Sequence, residues 1–332
     1  MTVLVTGGAG YIGSHMVWEL LDAGEQVVVV DRLSTGFEWA VAPEAEFVRG
    51  DIADVKLVKE VIRAHAVDAI IHFAGSIVVP ESVADPLGYY ENNTCKTRSL
   101  IETAVQENVR NFIFSSTAAV YGAAGLEPVG EDARLAPESP YGVSKLMSEW
   151  MLRDAARAHD LRYTVLRYFN VAGADPKGRT GQSTPGATHL IKVACETALG
   201  KRAAMQVYGT DYPTPDGTCV RDYIHVSDLV AAHRLALHRL RDGGDSLVAN
   251  CGYSHGYSVL EVIDSVRRVY GAEFEVTVGG RRAGDAAAVI ANSELARREL
   301  GWTPAHDDLD AIVGDALSWE RSLTRRNSAR GA

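Results

Sequence analysis

Short apolar runs alternate with helical patterns through the first half of the chain. The apolar runs cover residues 3–6, 27–30, 46–52, 69–75, 111–114 and 161–169. Val17, Leu20 and Leu21 share one face of the helix that follows the first run, and a longer helical stretch covers residues 89–107. Buried strands alternating with helices are typical of a doubly wound parallel sheet. The sequence therefore predicts an α/β fold of the Rossmann type.

A glycine-rich turn follows the first predicted strand. It contains Gly7, Gly8, Gly10 and Gly13, read either as G-x-G-x-x-G from Gly8 or as G-x-x-G-x-x-G from Gly7. The first glycine tightens the turn, Gly10 lets backbone amides approach a pyrophosphate, and Gly13 lets the helix pack on the strand. Strand, glycine turn and helix in this order are the context that a dinucleotide-binding site requires.

The second predicted strand ends in Asp31, eighteen residues after Gly13. A carboxylate at this place accepts hydrogen bonds from both ribose hydroxyls and repels a 2′-phosphate. The sequence therefore favours NAD over NADP. Arg32, the next residue, weakens that preference without reversing it.

Residues 139–145 read as the first turns of another helix, with Ser139 as N-cap and Pro140 at the first helical position. Tyr141 and Lys145 are four residues apart, so a helix places them on one face. An ammonium beside a phenol favours the phenolate and so lowers the phenol's pKa, which makes a general base. The residues alone leave open a surface tyrosine beside a solvated lysine.

Several polar residues are predicted near the ends of the apolar runs. Asp51 lies at the edge where a cofactor would bind, and Ser115 and Thr117 follow the run at 111–114. We expect Ser115 to make a turn or cap a helix, and Thr117 to act in the site. His72 lies inside an apolar run, where a hydrogen-bonded core histidine is favoured over a catalytic one.

Composition narrows the classes of function. The net charge is -10 without a compensating basic block, which argues against non-specific nucleic-acid binding. The four cysteines are scattered and show neither CxxC pairs nor metal-ligand spacing, as in a reduced cytoplasmic protein. No apolar run approaches the length of a membrane span, and the strand pattern from Thr2 leaves no room for a signal peptide. We therefore expect a soluble, cytoplasmic protein.

The predicted organisation is an NAD-binding domain over residues 1–172 and a smaller substrate domain over 173–323. The segment 221–240 reads as a strand and helix that return to the first sheet. Residues 171–188 are rich in Gly, Pro and polar residues, which suits a crossing between domains or a lid. Residues 324–332 are expected to form a flexible tail.

These motifs together resemble the extended short-chain dehydrogenase/reductase superfamily, and within it the chain is most similar to the UDP-glucose 4-epimerase family. The resemblance covers nearly the whole chain. It is carried by the segments 7–15, 50–52, 72–75, 115–117, 141–145, 166–170, 208–218 and 220–226 and by the pattern Arg281-Arg282-x-Gly284-Asp285.

The resemblance implies roles for particular residues. Tyr141, Lys145 and Thr117 would be catalytic. The implied NAD contacts are Gly7, Gly10, Tyr11, Ile12, Gly13, Asp31, Asp51, Ile52, Phe73, Ala74, Gly75, Asn92, Tyr141, Lys145 and Phe169. The implied UDP-sugar contacts are Thr117, Tyr141, Asn170, His189, Leu190, Gln206, Tyr208, Arg221, Arg282, Asp285 and Val289. Taken singly, a surface salt bridge is the favoured interpretation of Arg221 and of Arg282, and the family pattern around them reverses that preference.

Three positions depart from the family pattern or bear on specificity. His189 stands where the family commonly has Asn beside the uracil. Ile77 stands where the family has a cofactor-binding lysine, which implies weaker retention of NAD. Val289 replaces a bulky aromatic residue that is associated with exclusion of N-acetylated sugars, so N-acetylated UDP-hexosamines are expected as further substrates.

The implied reaction is a reversible inversion at C4 of UDP-galactose and UDP-glucose. Tyr141 would remove the proton of the C4 hydroxyl while NAD⁺ takes the hydride. The 4-keto sugar would then rotate within the pocket before hydride returns.

The main rival to this function is the same mechanism on another UDP sugar, a pentose or a uronate. A 4,6-dehydratase would need Asp-Glu after the threonine, where this chain has Ala118-Ala119. A non-catalytic NAD-binding regulator need not keep the three catalytic residues together, whereas this chain has all three.

The resemblance also implies a homodimer that packs helices from 92–107 and 141–159.

Overall fold

A seven-stranded parallel sheet forms the centre of the first half of the chain. The computed structural model describes residues 1–123, 125–282 and 285–328, with side chains described as far as Leu323. The elements of the first half are β1 (Thr2–Thr6), α1 (Tyr11–Asp22), β2 (Gln26–Asp31), β3 (Glu46–Arg49), α2 (Val55–His65), β4 (Val67–His72), α3 (Val79–Ala84), α4 (Pro86–Tyr89), α5 (Lys96–Gln106), β5 (Asn111–Thr117), α6 (Pro140–Ala158) and β6 (Arg162–Tyr168). A π-helical segment, Tyr90–Cys95, joins α4 to α5.

The second half contains shorter elements. They are β7 (Asn170–Ala172), α7 (Leu190–Ala198), β8 (Met205–Tyr208), β9 (Val220–Arg221), β10 (Tyr223–His225), α8 (Val226–Arg241), β11 (Leu247–Cys251), β12 (Tyr257–Ser258), α9 (Val259–Tyr270), β13 (Val276–Gly279), β14 (Ala288–Val289), α10 (Glu294–Leu300) and α11 (Leu309–Ser328).

The order of strands in the large sheet is β11-β6-β5-β4-β1-β2-β3, and every described pairing in it is parallel. The chain runs outward in one direction from β1 to β3 and in the other from β4 to β11, so the order reverses between β1 and β4. In a doubly wound sheet, ligands bind at the carboxyl ends of the strands beside this reversal. This is the predicted Rossmann-like α/β fold.

The apolar residues of the strands divide between two cores because successive side chains point to opposite faces of a sheet. Val3 and Val5 of β1 belong to one core, together with residues of α1 and α8. Leu4, between them, belongs to the other, with residues of α2, α5 and α6. Both faces are covered, which explains why the strands read as continuous apolar runs.

The chain returns to the large sheet after it has entered the smaller region. β10 pairs in parallel with β7, while α8 packs against α1, β5 and β6. β11 then pairs with β6 and becomes the edge strand of the large sheet. The predicted return segment 221–240 thus covers β10 and most of α8. The strand that joins the large sheet is β11, which lies beyond this segment.

The smaller region is built from three short sheets and the last helices. The strands pair as β10-β7, β12-β9-β14 and β13-β8. α11 continues to Ser328, within the segment predicted as a tail, and residues 329–332 lie outside the described residues. No helix in the described part of the chain is long and apolar enough to cross a membrane.

Candidate active site

The turn between β1 and α1 is shaped by glycines at places where a side chain would not fit. Gly7 has φ +72°, in the left-handed region that glycine adopts readily, and its amide donates to the carbonyl of Val30 at 3.0 Å. A Cβ on Gly13 would lie 2.1 Å from the carbonyl oxygen of Gly7. Gly10 is the N-cap of α1 and has no side chain to cover the first amides of the helix. The turn therefore presents the N-terminus of α1 to an anion such as a pyrophosphate.

Asp31 lies beside this turn at the end of β2. Its Oδ2 accepts from the amide of Ala9 at 3.0 Å, and its Oδ1 accepts from the amide of Leu33 at 2.7 Å. Arg32 is directed elsewhere, with Nη1 3.5 Å from the carboxylate of Asp51. The cation next to Asp31 is thus engaged by a carboxylate, which agrees with the preference for NAD over NADP.

Asp51 follows β3, two residues after the strand ends. Burial would raise the pKa of its carboxyl, but the hydrogen bond from Lys96, the amide of Ala53 at 2.9 Å and nearby Arg32 together lower that pKa below its ordinary value. Ile52 beside it is buried. Asp51 is therefore a fixed carboxylate at the place where the sequence predicts the edge of the cofactor site.

The end of β4 passes close to the glycine turn. The amide of Phe73 donates to the carbonyl of Thr6 at 3.0 Å, and a Cβ on Gly7 would lie 2.6 Å from the amide nitrogen of Ala74. A Cβ on Gly75 would lie 3.6 Å from Nζ of Lys145. This strand end therefore lies next to the predicted catalytic residues.

The loop after Gly75 is held by two asparagines of the π-helical segment. Asn93 accepts from the amide of Ser76 at 2.7 Å and donates to its carbonyl at 2.9 Å, while Asn92 donates to the Ser76 hydroxyl at 2.9 Å. Sequence reasoning named Asn92 and missed Asn93. Ile77, next in the loop, has a side chain that is half exposed.

His72 is a core histidine, as predicted. Its Nδ1 lies 2.6 Å from the hydroxyl of Thr6 and its Nε2 lies 2.8 Å from that of Thr97. Burial, with a contribution from Lys145, lowers its pKa to about 3. Both ring nitrogens are bonded and the ring is neutral at pH 7, as expected of a core histidine.

Thr117, Tyr141 and Lys145 lie together where β5 ends and α6 begins. Ser139 caps α6 by accepting from the amide of Gly142 at 3.2 Å, and Pro140 occupies the first helical position, as predicted. All three side chains are buried, and the hydroxyl of Thr117 is hydrogen-bonded to the phenol of Tyr141. The ammonium of Lys145 donates to the carbonyl of Ser115 at 3.0 Å.

The prediction that Lys145 lowers the pKa of Tyr141 is wrong for the polypeptide alone. Burial raises the pKa of the phenol above its ordinary value, and the hydrogen bond with Thr117 opposes that rise only in part. Lys145 is directed to the backbone of β5 and lies 4.9 Å from the centre of the Phe114 ring. Burial lowers its own pKa to about 8, against the charge of Glu149, which raises it.

Ser115 does not have the predicted turn or capping role. It lies inside β5, fully buried, and its hydroxyl is 2.9 Å from Nε2 of His233. Thr117, by contrast, caps the short 3₁₀ turn that follows, since its Oγ1 accepts from the amide of Ala119 at 3.1 Å. The same hydroxyl is the one that lies in the candidate site with Tyr141.

Three of the predicted NAD contacts, Tyr11, Ile12 and Phe169, have side chains that make contacts within the protein. Tyr11 donates from its hydroxyl to the carbonyl of Gly173 at 2.7 Å and so ties α1 to the crossing segment. Ile12 packs against the core, and Phe169 is buried in a cluster with Val120 and Leu146. The side chain of Phe169 thus belongs to a small core beside the site.

The predicted nucleotide side of the site contains two arginines that share one carboxylate. Arg282 donates to Asp285 at 3.1 Å, and Nη2 of Arg221 is 3.9 Å from the same carboxylate. The guanidinium of Arg282 also lies 4.5 Å from the centre of the Tyr208 ring. This cluster can receive a diphosphate, since guanidinium groups match phosphate oxygens. Gly284 of the predicted motif lies outside the described residues.

The other predicted substrate residues lie on several elements of the smaller region. Gln206 is exposed on β8, and Val289 pairs with Arg221 between β14 and β9. Asn170 begins β7, and its amide donates to the carbonyl of Asp222 at 3.0 Å. His189 and Leu190 begin α7 beside Asn170 in one pocket.

The chain resembles proteins of known family along nearly its whole length. The NAD dependent epimerase/dehydratase family matches residues 3–252. A UDP-glucose 4-epimerase of Azospirillum brasilense is 56% identical over 330 residues, which are 99% of this chain and 95% of that protein. UDP-glucose 4-epimerase from Brucella ovis, solved in complex with NAD, has a TM-score of 0.93 and 45% identity, covering 96% of this chain and 97% of that one. The UDP-Glc/GlcNAc 4-epimerase from Campylobacter jejuni has a TM-score of 0.85 and 46% identity, covering 97% and 99%.

These likenesses agree with the geometry of the site. The glycine turn fits a pyrophosphate, Asp31 fits a ribose, and Thr117, Tyr141 and Lys145 lie beside the same sheet edge. Since the family match spans most of the sequence, the chain belongs to the NAD dependent epimerase/dehydratase family.

Proposed function

We propose that this protein is an NAD-dependent isomerase that interconverts UDP-galactose and UDP-glucose at C4. The observation that carries the proposal is the hydrogen-bonded pair of Thr117 and Tyr141, with Lys145 on the same helix, at the edge of the sheet that fits NAD. A proton acceptor beside a hydride acceptor is what oxidation of a secondary alcohol requires.

Bound NAD would supply the acceptor for the hydride of C4 and the donor that returns hydride to the opposite face of the sugar. Tyr141 accepts the proton of the C4 hydroxyl and later returns one, while the hydroxyl of Thr117 orients that oxygen. Between the two transfers the 4-keto sugar rotates within the site, so that its opposite face meets the hydride. Arg221 and Arg282 hold the diphosphate firmly on the other side of the site, so the sugar alone changes its orientation.

The residues after Thr117 disfavour the related elimination chemistry. A 4,6-dehydratase needs an acid and a base to expel the C6 hydroxyl. Ala118 and Ala119 form the 3₁₀ turn here and supply neither group. Proton and hydride transfer at C4 therefore accounts for the residues at this edge.

We include UDP-N-acetylglucosamine and UDP-N-acetylgalactosamine among the proposed substrates. Val289 is half-buried on β14 and packs beside the cluster that contains Phe169. Valine is smaller than an aromatic residue and leaves more room beside the C2 substituent. The Campylobacter jejuni relative, whose name includes both Glc and GlcNAc, supports the extension.

A substrate panel tests the activity. The purified protein is incubated without added NAD with UDP-galactose, UDP-glucose, the two N-acetylated sugars, a UDP-pentose and a UDP-uronate, and the products are separated by chromatography. We expect UDP-galactose and UDP-glucose to equilibrate without accumulation of NADH. A requirement for stoichiometric NAD would indicate a dehydrogenase, and turnover of the pentose or uronate alone would assign a different sugar.

The assigned base has its own test. Tyr141→Phe keeps the ring and removes the proton acceptor, so turnover falls by about 10²- to 10⁴-fold. Binding of UDP, measured by calorimetry, persists because the arginines are untouched. Full activity of Tyr141→Phe would contradict the assignment.

We also propose a homodimer that packs α5 and α6 against their copies. Met147 and Trp150, three residues apart on α6, are exposed to 38% and 45%. Large apolar side chains grouped on one helix face are typical of a protein interface. Val83 and Leu87 on the adjacent α3 and α4 extend this exposed apolar surface.

A cytoplasmic location belongs to the same proposal. All four cysteines are free thiols, and three of them are buried. Proteins of reducing compartments commonly keep such thiols.

A further inference from the structure

A buried carboxylate lies one helical turn beyond Lys145. Glu149 is 5% exposed and accepts from the hydroxyl of Ser116 at 2.5 Å. It also pairs with Arg167, which donates from Nη2 to Oε2 at 2.6 Å and from Nε to Oε1 at 3.1 Å. The pair joins α6, which carries Tyr141 and Lys145, to β5 and β6.

The carboxylate is bonded to β5 at Ser116, which lies between the two residues of that strand that Lys145 and Tyr141 contact. Ser116 and Arg167 are register partners in the β5–β6 ladder. On one side of Ser116, the carbonyl of Ser115 accepts from Lys145 at 3.0 Å. On the other side, Thr117 is hydrogen-bonded to Tyr141.

Arg167 is itself fixed by a second set of contacts. Its Nη1 donates to the hydroxyl of Tyr121 at 2.9 Å, and its guanidinium lies 5.0 Å from the centre of that ring. Tyr121 donates in turn to Oδ1 of Asn250 at 2.7 Å, on the edge strand β11. The ion pair therefore has one defined geometry.

Stability alone is a weak reason for such a pair. Removing two charges from water is costly, and apolar side chains of similar volume often stabilise a protein as well or better. A pair placed between the catalytic helix and the catalytic strand suggests another use.

We propose that Glu149 is a positioning residue, paired with Arg167, that sets the place of Lys145 and Thr117 and keeps Lys145 charged during the reaction. The kinetic consequences of this inference rest on the proposed function. Its consequence for the charge of Lys145 does not.

The charge of Lys145 depends on few neighbours. Glu149 is the anion that raises its pKa, against burial, which lowers the pKa to about 8. The neighbouring titratable groups are Tyr141 on the same helix, His72 on β4, His233 on α8 through Ser115, and Tyr168 on β6 beside Tyr141. Burial lowers the pKa of both histidines and raises that of both tyrosines, so in the polypeptide alone these four groups add no charge beside Lys145 near pH 7.

Glu149→Gln tests the proposal, because the amide keeps an acceptor for Ser116 and loses the charge. Removing an anion that favours the charged form lowers the pKa of Lys145, by about one unit or more. We expect kcat to fall by about 10- to 100-fold, as for a small misplacement of reacting groups, with the KM for UDP-galactose nearly unchanged. The alkaline limb of the pH profile moves to lower pH by about one unit.

Two further variants separate positioning from general destabilisation. Glu149→Gln/Arg167→Met removes both charges, so no unpaired guanidinium is buried, and it keeps the experiment informative if the single variant does not fold. The matched control is Arg241→Met, which removes a buried guanidinium bonded to Asp68 and Glu25 away from the site. The double variant should reproduce the shifted pH limb, while Arg241→Met should lower only the melting temperature.

A direct titration makes the result independent of activity. The ¹³Cε resonance of Lys145 is followed against pH in lysine-labelled protein and assigned with Lys145→Met. A lower pKa in Glu149→Gln than in the wild type supports the proposal, even if the wild-type protein lacks epimerase activity and the proposed function is wrong. An unchanged lysine pKa together with an unchanged pH profile in both Glu149 variants would overturn it.

Discussion

The hydroxyl of Thr117 is hydrogen-bonded to the phenol of Tyr141, and this bond opposes the rise in the phenol's pKa that burial causes. The same oxygen accepts from the amide of Ala119 at 3.1 Å, which fixes its position at the end of β5. Thr117 therefore affects the strength of the proposed base as well as the orientation of the substrate.

Thr117→Val should slow the reaction and change its pH dependence. Loss of the bond removes a contribution that lowers the pKa of Tyr141, so that pKa rises further. Because turnover requires the deprotonated phenol, activity is lost as pH falls through a higher value, and the acid limb of kcat moves to higher pH. We expect kcat to fall by about 10²-fold near pH 7.

Thr117→Ser is the matched control, since it keeps the hydroxyl. Its acid limb should coincide with that of the wild type. Superimposable pH profiles for Thr117→Val and Thr117→Ser would show that the bond does not affect the base.

Gly13→Ala should abolish retention of NAD. The added Cβ would lie 2.1 Å from the carbonyl oxygen of Gly7, in a backbone that cannot yield without opening the turn. Gly280→Ala is the control, because its Cβ would meet nothing within 4 Å. NAD released by denaturation is measured together with the melting temperature. Equal NAD content in the two variants would contradict the assigned pyrophosphate site.

Arg282→Met should weaken binding of the UDP sugar and leave the chemical step nearly intact. A hydrogen bond to a charged group contributes about 1.5–3 kcal/mol, which corresponds to an increase in KM of roughly 10- to 100-fold. Arg281→Met is the neighbouring control, since Arg281 pairs with Asp211 and covers the ring of Tyr212. Equal changes in KM for the two variants would remove the specific role of Arg282.

Trp150→Glu should dissociate the proposed dimer, because a charge replaces the largest exposed apolar group on α6. Val278→Glu makes the same change in charge at an apolar residue that is 65% exposed on β13. Sedimentation velocity should show a monomer for Trp150→Glu and the wild-type mass for Val278→Glu. A dimer that survives in Trp150→Glu would place the interface elsewhere.

The central features of the site follow from local chemistry and were predictable. Gly7 and Gly13 are required by the backbone of the turn, and Asp31 is placed by the strand that precedes it. Ser139 and Pro140 mark the start of α6, which fixes Tyr141 and Lys145 on one face. Each of these signals is contained within a few residues of sequence.

The features that sequence reasoning missed depend on tertiary contacts. Glu149 and Arg167 read as ordinary charged residues of a helix and a strand, and only the packing of α6 on β5 and β6 buries them together. Ser115 was assigned a turn because the strand runs three residues further than the apolar run predicts. The pKa of Tyr141 could not be predicted from a neighbouring lysine, since burial has the larger effect.

The position of β11 has a consequence for how the protein folds. A fragment of residues 1–172 would contain the glycine turn and the catalytic residues, yet it would lack both α8 and β11. The backbone groups of β6 that β11 pairs, and the apolar face that α8 covers, would then be exposed to solvent. The nucleotide-binding half therefore depends on chain synthesised long after it, and we expect both halves to unfold in one cooperative transition.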